Sequence, residues 1–265
     1  MNYDLHTFSS RDRWAYMNRF KPTLQLLGRI VLDLLFPRHC EICVKSMNHK
    51  NQTYLCEICF NKIRFISSTA CRGCAKVFPG AFPSIENWIC PGCLRAKRFY
   101  EACYAVSYYE GPIKELLQTF KFARAEYLAG TLREIFLKGM IGKVDWGNFD
   151  FVVPIPLHPR KLKERGFNQS FILAQTVRDV TGLRILRDSI VRVKYSEGQT
   201  LQDKKARLEN IRGSFKVHYP QKIKGKEILL VDDVLTTGAT IQECARLLKE
   251  AGAKTVTVVV LARSI

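Results

Sequence analysis

Short apolar runs alternate with amphipathic stretches through the second half of the chain. The runs at 151–156, 228–231 and 255–261 have the length and composition of buried strands. The stretches at 171–180 and 241–251 repeat apolar residues at helical spacing. Strands that alternate with helices favour right-handed crossovers and parallel pairing. We therefore predict an α/β fold in which a parallel sheet is flanked by helices.

The same pattern predicts further elements around these units. A strand is predicted at 103–109, and helices are predicted over 113–122 and 126–139. Residues 189–193 are predicted to form a second core strand, and residues 213–219 return as another strand.

The first 37 residues follow a different pattern. Residues 22–36 are predicted to form an amphipathic helix, which the proline at position 37 ends. Residues 1–21 are predicted to have little ordered structure. The apolar run at 24–36 contains Arg29 and Asp33, so it is too short and too charged to span a bilayer. We predict neither a signal peptide nor a membrane span. For the helix we favour docking on the protein's own core or on a partner over a role at a membrane surface.

The composition is that of a soluble globular protein with a basic surface. Hydrophobic residues make up 47% and charged residues 25% of the 265 residues, enough for one or two domains with a sizeable core. The net charge is +18, from 42 Lys plus Arg against 24 Asp plus Glu. This excess favours polyanionic partners such as nucleic acid, a phosphorylated substrate or an anionic surface.

Eight of the ten cysteines form four C-x-x-C pairs. Two such knuckles complete a four-thiolate shell with no open position, which is typical of structural zinc, so we predict two structural zinc ions. Sequential pairing of the knuckles is favoured over a cross-brace, and an iron–sulfur cluster or a redox dithiol is a weaker alternative. Thiolate pairs also indicate a reducing, cytoplasmic location. The predicted ligands are Cys40, Cys43, Cys56, Cys59, Cys71, Cys74, Cys90 and Cys93.

The cysteine pattern and the apolar pattern divide the chain into three predicted segments. Residues 1–37 form an extension with the amphipathic helix, 38–100 form a double zinc ribbon, and 101–265 form the domain with the sheet. Cys103 and Cys244 lie outside the paired pattern and are predicted to be ordinary buried thiols.

The stretch at 228–240 carries the strongest chemical signal. Four apolar residues lead into Asp232 and Asp233, and a turn with the sequence Thr-Thr-Gly-Ala-Thr then precedes a helix. Unpaired N–H groups at a helix N-terminus suit a phosphate, and Gly238 lets the backbone approach it. The carboxylates would repel that phosphate, so we expect them to face sugar hydroxyls or a divalent cation. The sequence contains no G-x-x-x-x-G-K-[ST] loop of a nucleotide hydrolase.

This stretch resembles the signature of the type I phosphoribosyltransferases, which use 5-phosphoribosyl-1-pyrophosphate (PRPP). The resemblance implies that Asp232 and Asp233 are the catalytic carboxylates and hold the ribose hydroxyls. It also implies that Mg²⁺ binds with PRPP on its pyrophosphate. The implied contacts of the 5′-phosphate are Leu235, Thr236, Thr237, Gly238, Ala239 and Thr240.

Two further segments are predicted to lie at the same edge of the sheet. A basic loop at 158–165 follows the first core strand and suits a pyrophosphate, through Arg160, Lys161 and Arg165. The long polar segment at 194–212 has the character of a lid. Its candidate contacts are Lys194, Gln199, Arg207 and Asn210.

The chain as a whole resembles the ComF family of bacterial competence proteins over about residues 24–263. The motifs are Leu35-Phe36-Pro37 before Cys40-Glu41-Ile42-Cys43, then Lys121-Phe122, Pro154–Pro156, Arg165–Gln169 and Asp232–Thr240. The family implies handling of single-stranded DNA during natural transformation.

These features support two hypotheses, an enzyme and a nucleic-acid-binding module. As an enzyme, the protein would transfer or release the phosphoribosyl group of PRPP. This reaction needs no nucleophilic side chain, and the sequence identifies none. The expected partners are PRPP, single-stranded DNA and other DNA-uptake proteins. We favour a cytoplasmic DNA-handling protein with a retained PRPP pocket. The alternatives are a metabolic phosphoribosyltransferase acting on an unidentified base and a nucleic-acid-binding module whose pocket has decayed.

Overall fold

The computed structural model describes residues 38–47, 53–66, 70–78, 88–140, 142–195 and 211–264. The helix predicted over 22–36 lies outside these residues. The chain divides into two compact units between Cys56 and Glu57, and each is described by itself. In the first unit, Cys40–Lys45 forms a tight turn in which the Val44 N–H donates to the Cys40 carbonyl.

The second unit consists of helices, strands and short 3-10 turns in alternation. Its helices are α1 Glu57–Asn61, α2 Pro91–Arg95, α3 Gly111–Phe122, α4 Ala129–Met140, α5 Pro159–Arg165, α6 Gln169–Thr181 and α7 Ala239–Glu250. Its strands are β1 Ala102–Tyr108, β2 Phe151–Pro154, β3 Arg184–Ile185, β4 Ile190–Arg192, β5 Phe215–Val217, β6 Glu227–Leu235 and β7 Thr255–Arg263. The 3-10 turns are Glu126–Leu128, Trp146–Asn148 and Pro220–Lys222.

Five strands form one parallel sheet in the order β1-β7-β6-β2-β3, which confirms the predicted fold class. The apolar run of β6 is buried on both faces. Ile228 and Leu230 belong to the core cluster that includes Ile241 and Leu248 of α7. Successive side chains of a strand point to opposite faces, so Leu229 faces the other side, where α6 contacts β6.

Two local predictions were wrong. The strand predicted at 189–193 does not join the core sheet, because β4 is short and pairs with β5 in a separate antiparallel ribbon. The basic segment predicted as a loop at 158–165 is the helix α5. Pro159 stands in its first turn and His158 Nδ1 accepts from the Arg160 N–H at 3.2 Å, so the sequence carries its own helix start.

The edge of β1 that faces away from β7 is covered by the segment that follows α1. The Ile66 N–H donates to the Val106 carbonyl at 2.9 Å, and the Tyr108 N–H donates to the Arg64 carbonyl at 3.0 Å. These bonds satisfy backbone groups that an open sheet edge would leave exposed.

Among the described residues, no helix has the length and apolar content needed to cross a membrane.

Gly139 sets the close approach of α4 to β1, and it supplies a test of this packing. A Cβ at Gly139 would lie 2.3 Å from Val106 Cγ1. We expect Gly139→Ala to lower the free energy of unfolding by about 1–3 kcal/mol through overpacking. Helix propensity alone predicts the opposite sign, since Ala is favoured over Gly by about 1 kcal/mol. Chemical denaturation measures the difference, and adding Val106→Ala should recover part of the loss. A Gly139→Ala protein at least as stable as wild type would contradict this packing.

Candidate phosphoribosyl site and cysteine clusters

The two adjacent carboxylates lie inside β6 rather than after it. The strand continues through Asp232 and Asp233 to Leu235, because its pairing with β7 continues to the partners Leu235 and Arg263. The turn begins at Thr236, at the start of the predicted Thr-Thr-Gly-Ala-Thr stretch. Both carboxylates stand near the carboxyl end of a central parallel strand, where ligands bind in open α/β sheets.

Asp232 is held by neighbouring donors. Its Oδ1 accepts from Ser170 Oγ in the first turn of α6 at 2.8 Å and from the Asp233 N–H at 2.9 Å. Burial, and then the negative charge of Asp233, raise the pKa of Asp232 to about 7. The protonated form of this carboxyl group is therefore more favoured than it is for an exposed aspartate.

Asp233 forms an ion pair with a lysine from a helix that is distant in the sequence. Lys121 Nζ, in the last turn of α3, lies 2.5 Å from Asp233 Oδ2, and the two side chains are only 17% and 13% exposed. Sequence reasoning did not assign Lys121 to the site. The available signal was its place in the Lys121-Phe122 motif. That motif alone does not indicate a chemical role, which becomes visible only when the fold places Lys121 next to Asp233 of β6.

The turn after β6 forms the N-terminus of α7. Gly238 has φ +79° and is the residue that precedes the helix, a left-handed conformation that favours glycine. Thr237 Oγ1 accepts from the Ala239 N–H at 3.4 Å, whereas Thr236 is exposed. Leu235 and Ala239 are buried, and Thr240 is half-buried in the first turn of α7. The turn thus offers backbone N–H groups and hydroxyls at a positive helix end.

Arg165 of α5 lies near Asp233, and Lys161 lies near Arg165 and Lys121. Arg165 Nη1 donates to Gln169 Oε1 at 2.7 Å. Burial lowers the pKa of Arg165 and Asp233 opposes that shift, which indicates that the two charges are close. Burial, with the charges of Arg192 and Arg165, lowers the pKa of Lys161. Arg160 instead bonds to Glu164 at 3.1 Å.

A cavity of about 390 Å³ opens next to the Lys121–Asp233 pair. Its lining has four cationic side chains against one carboxylate, which suits an anionic ligand. Phe122 stands 78% exposed at this cavity. The cavity is lined by Lys121, Phe122, Arg124, Lys161, Glu164, Arg165 and Tyr195.

The predicted lid is described only at its two ends, residues 194–195 and 211–212. Lys194 is exposed, and its Nζ lies 3.5 Å from the Arg212 carbonyl oxygen. Gln199, Arg207 and Asn210 lie outside the described residues.

The eight paired cysteines form two groups of four, in the sequential arrangement. Within each group all sulfur atoms lie within 4.8 Å of one another. In the first group, Cys43 Sγ and Cys56 Sγ are 3.6 Å apart, and Cys40 Sγ accepts from the Cys56 N–H at 3.4 Å. Burial raises the pKa of Cys40, but backbone N–H donors outweigh it and lower the value to about 6. The groups are Cys40, Cys43, Cys56, Cys59 and Cys71, Cys74, Cys90, Cys93.

The second group has a similar geometry. Cys74 Sγ and Cys90 Sγ are 3.9 Å apart, and Cys71 Sγ accepts from the Gly73 and Cys90 N–H groups at 3.3 and 3.2 Å. A tetrahedron with Zn–S bonds of about 2.3 Å has edges of roughly 3.8 Å, so both groups fit zinc. Four thiolates leave no position for substrate, and these sites are structural.

The second group is joined to the sheet and to α7. The Cys103 N–H of β1 donates to the Arg72 carbonyl at 2.7 Å, and the Tyr100 hydroxyl donates to the Gly73 carbonyl at 2.9 Å. Gln242 of α7 accepts from the Phe99 N–H at 3.2 Å. Cys103 itself is buried, which raises its pKa to about 12, and it remains outside both clusters.

Two family models match the chain. The double zinc ribbon domain matches residues 31–94, and the phosphoribosyl transferase domain matches residues 164–265. DNA utilization protein YhgH of Salmonella typhimurium is 31% identical over 214 residues, which are 80% of this chain and 91% of that protein. Competence protein F of Haemophilus influenzae is 25% identical and covers 80% of this chain and 97% of its own. The chain belongs to the ComF family.

Further comparisons agree with this ComF membership. Competence protein ComFC of Bacillus subtilis is 28% identical over 75% of this chain and 79% of its own. Among solved structures, an adenine phosphoribosyltransferase from Thermoanaerobacter pseudethanolicus covers 58% of this chain and 87% of its own, with 16% identity and a TM-score of 0.32. A TM-score this low carries no weight beside the domain matches.

The cysteine clusters of this ComF-family chain predict a metal content. We expect two zinc ions per purified chain, measured by plasma mass spectrometry. Cys74→Ser should reduce the content to about one and lower the melting temperature, because structural zinc contributes to folding. Cys103→Ala is the matched control and should retain both ions. A wild-type content of one or none, with all eight thiols open to alkylation, would contradict the double ribbon.

Proposed function

We propose that the protein binds PRPP with Mg²⁺ at the carboxyl end of β6 and handles single-stranded DNA in the cytoplasm during DNA uptake. The carrying observation is that Asp233, which precedes the turn at the α7 N-terminus, pairs with Lys121, and Lys121 lines the cationic cavity. One end of that arrangement suits a phosphate, its centre suits a diol, and the cavity suits a pyrophosphate. Other DNA-uptake proteins are further proposed partners.

Each part of PRPP has a proposed place. The 5′-phosphate would accept hydrogen bonds from the backbone and hydroxyls of 236–240, and the ribose hydroxyls would donate to Asp233 and Asp232. The pyrophosphate would lie against Lys161 and Arg165 in the cavity. Carboxylate oxygens are ligands that Mg²⁺ prefers, and the ion would neutralise charge on the leaving pyrophosphate.

This placement supports cleavage at the anomeric carbon. The C1–O bond breaks with its electron pair leaving on pyrophosphate, and positive charge develops on the ribose. The adjacent carboxylates stabilise that charge, while the cations stabilise the leaving group. A nitrogen of an acceptor base, or water, then forms the new bond to C1 and loses its proton to the released pyrophosphate or to solvent. A metabolic phosphoribosyltransferase with an unidentified acceptor base would use the same groups.

Isothermal titration tests the PRPP site. We expect wild-type protein to bind PRPP, and to bind it more weakly without Mg²⁺. Asp233→Asn should weaken binding by about 10- to 100-fold, because a hydrogen bond to a charged group is lost. Gly238→Val should abolish it, since the left-handed turn excludes a branched side chain.

Asp179→Asn provides the matched control, because Asp179 is an exposed carboxylate of α6 that pairs with Arg178 of the same helix and with Arg133 of α4. It should leave PRPP affinity unchanged. Each variant needs a thermal melt to show that it is folded. If folded wild-type protein shows no binding of PRPP with Mg²⁺ at millimolar concentration, the proposed site is ruled out.

A separate observation supports the single-stranded DNA part of the proposal. Phe122 exposes an aromatic ring beside cationic side chains, and Arg160 lies 4.5 Å from the centroid of the Tyr195 ring. Proteins that bind single strands combine cations for the phosphates with aromatic rings on which bases stack. The net charge of +18 adds a long-range attraction for such a strand.

Phe122→Ala tests base stacking at this position. We expect it to weaken binding of an oligothymidylate by about 5- to 100-fold, because stacking contributes roughly 1–3 kcal/mol per base. An abasic oligonucleotide of equal length should bind wild type and variant equally, since only its phosphates are recognised. Fluorescence anisotropy at several salt concentrations measures both.

Tyr219→Ala controls for the loss of an exposed aromatic, because Tyr219 is 52% exposed and does not line the cavity. Equal losses for the two variants, or equal losses for the two oligonucleotides, would contradict stacking on Phe122.

A further inference from the structure

Lys121 occupies a position that the proposed substrate would need. Its ammonium group lies 2.5 Å from Asp233 Oδ2, the carboxylate assigned to the ribose hydroxyls. Lys121 also lines the cavity assigned to the pyrophosphate. One side chain therefore borders both halves of the site.

We propose that Lys121 is an exchangeable counterion that makes the pocket selective for ribosyl pyrophosphates over sugar phosphates that lack a pyrophosphate. In the empty site it neutralises Asp233, and on binding it releases Asp233 to the diol and pairs with the pyrophosphate. This inference rests on the proposed PRPP site and adds a specificity-determining residue to it.

The end of α3 is anchored, so that only the lysine side chain has to move. Phe120 is 1% exposed, and its ring centroid lies 4.5 Å from that of Phe167, in the turn between α5 and α6. The flexible four-carbon stem of a lysine can redirect its charge over an anchored backbone, which the rigid fork of an arginine does less readily.

Selectivity follows from what happens to the displaced ammonium group. Both partners of the pair are largely buried, so removing one leaves an uncompensated charge in a place of low solvent access. The hydroxyls of ribose 5-phosphate would bind Asp233, but this ligand has no pyrophosphate with which the Lys121 ammonium group could pair. The hydroxyls of PRPP would bind Asp233 in the same way, and its pyrophosphate would be the new anionic partner of Lys121.

Lys121→Met tests the exchange because the two ligands should respond with opposite signs. Titrations of the folded variant with PRPP and with ribose 5-phosphate, each with Mg²⁺, give two affinities. We expect PRPP to bind roughly 10-fold more weakly, since a charge-assisted contact is lost. We expect ribose 5-phosphate to bind several-fold more tightly, since no ion pair has to be broken. Lys121→Gln, which keeps a hydrogen-bond donor toward Asp233, is the second variant if the first is unstable.

Lys163→Met is the matched control, because Lys163 is an exposed lysine of α5 outside the cavity lining, and it should change neither affinity. Affinities that change in the same direction for both ligands, or only for PRPP, would overturn the exchange while leaving the PRPP site intact. Wild-type protein that binds neither ligand would overturn the proposed function and the exchange together.

Discussion

The pair of adjacent, half-buried carboxylates near the end of β6 is the constraint on which the rest of the site depends. Two adjacent negative charges with limited access to water are unfavourable unless they are compensated, so neighbouring elements must supply donors and cations. Ser170 comes from the start of α6 and Lys121 from the end of α3. The carboxylates therefore depend on the start of one helix and on the end of another.

The parallel sheet could be predicted because its strands are continuous apolar runs separated by helical periodicity. The ends of the elements could not. An apolar pattern stops at the first charged residue, whereas β6 continues through Asp232 and Asp233 because β7 keeps pairing with it. The α5 helix was mistaken for a loop because its charges dominate the pattern, although His158 and Pro159 already mark a helix start.

The site was predictable only where its residues are close in sequence. The stretch around Asp232 and Gly238 forms a motif that can be read directly. Lys121 has no local signal of chemistry, since its role follows from a long-range contact between α3 and β6. The pairing of the cysteine knuckles could also be predicted from residues close in sequence, because short intervening segments bring consecutive knuckles together.

The covered edge of β1 gives the cysteine-rich segment a second consequence. The backbone around Arg64 and Ile66, and the Arg72 carbonyl within a knuckle, occupy hydrogen-bonding positions along β1. An uncovered parallel strand would present those positions to another chain and template intermolecular pairing. The cysteine-rich segment thus leaves fewer backbone groups along the edge of β1 open to pairing with another chain.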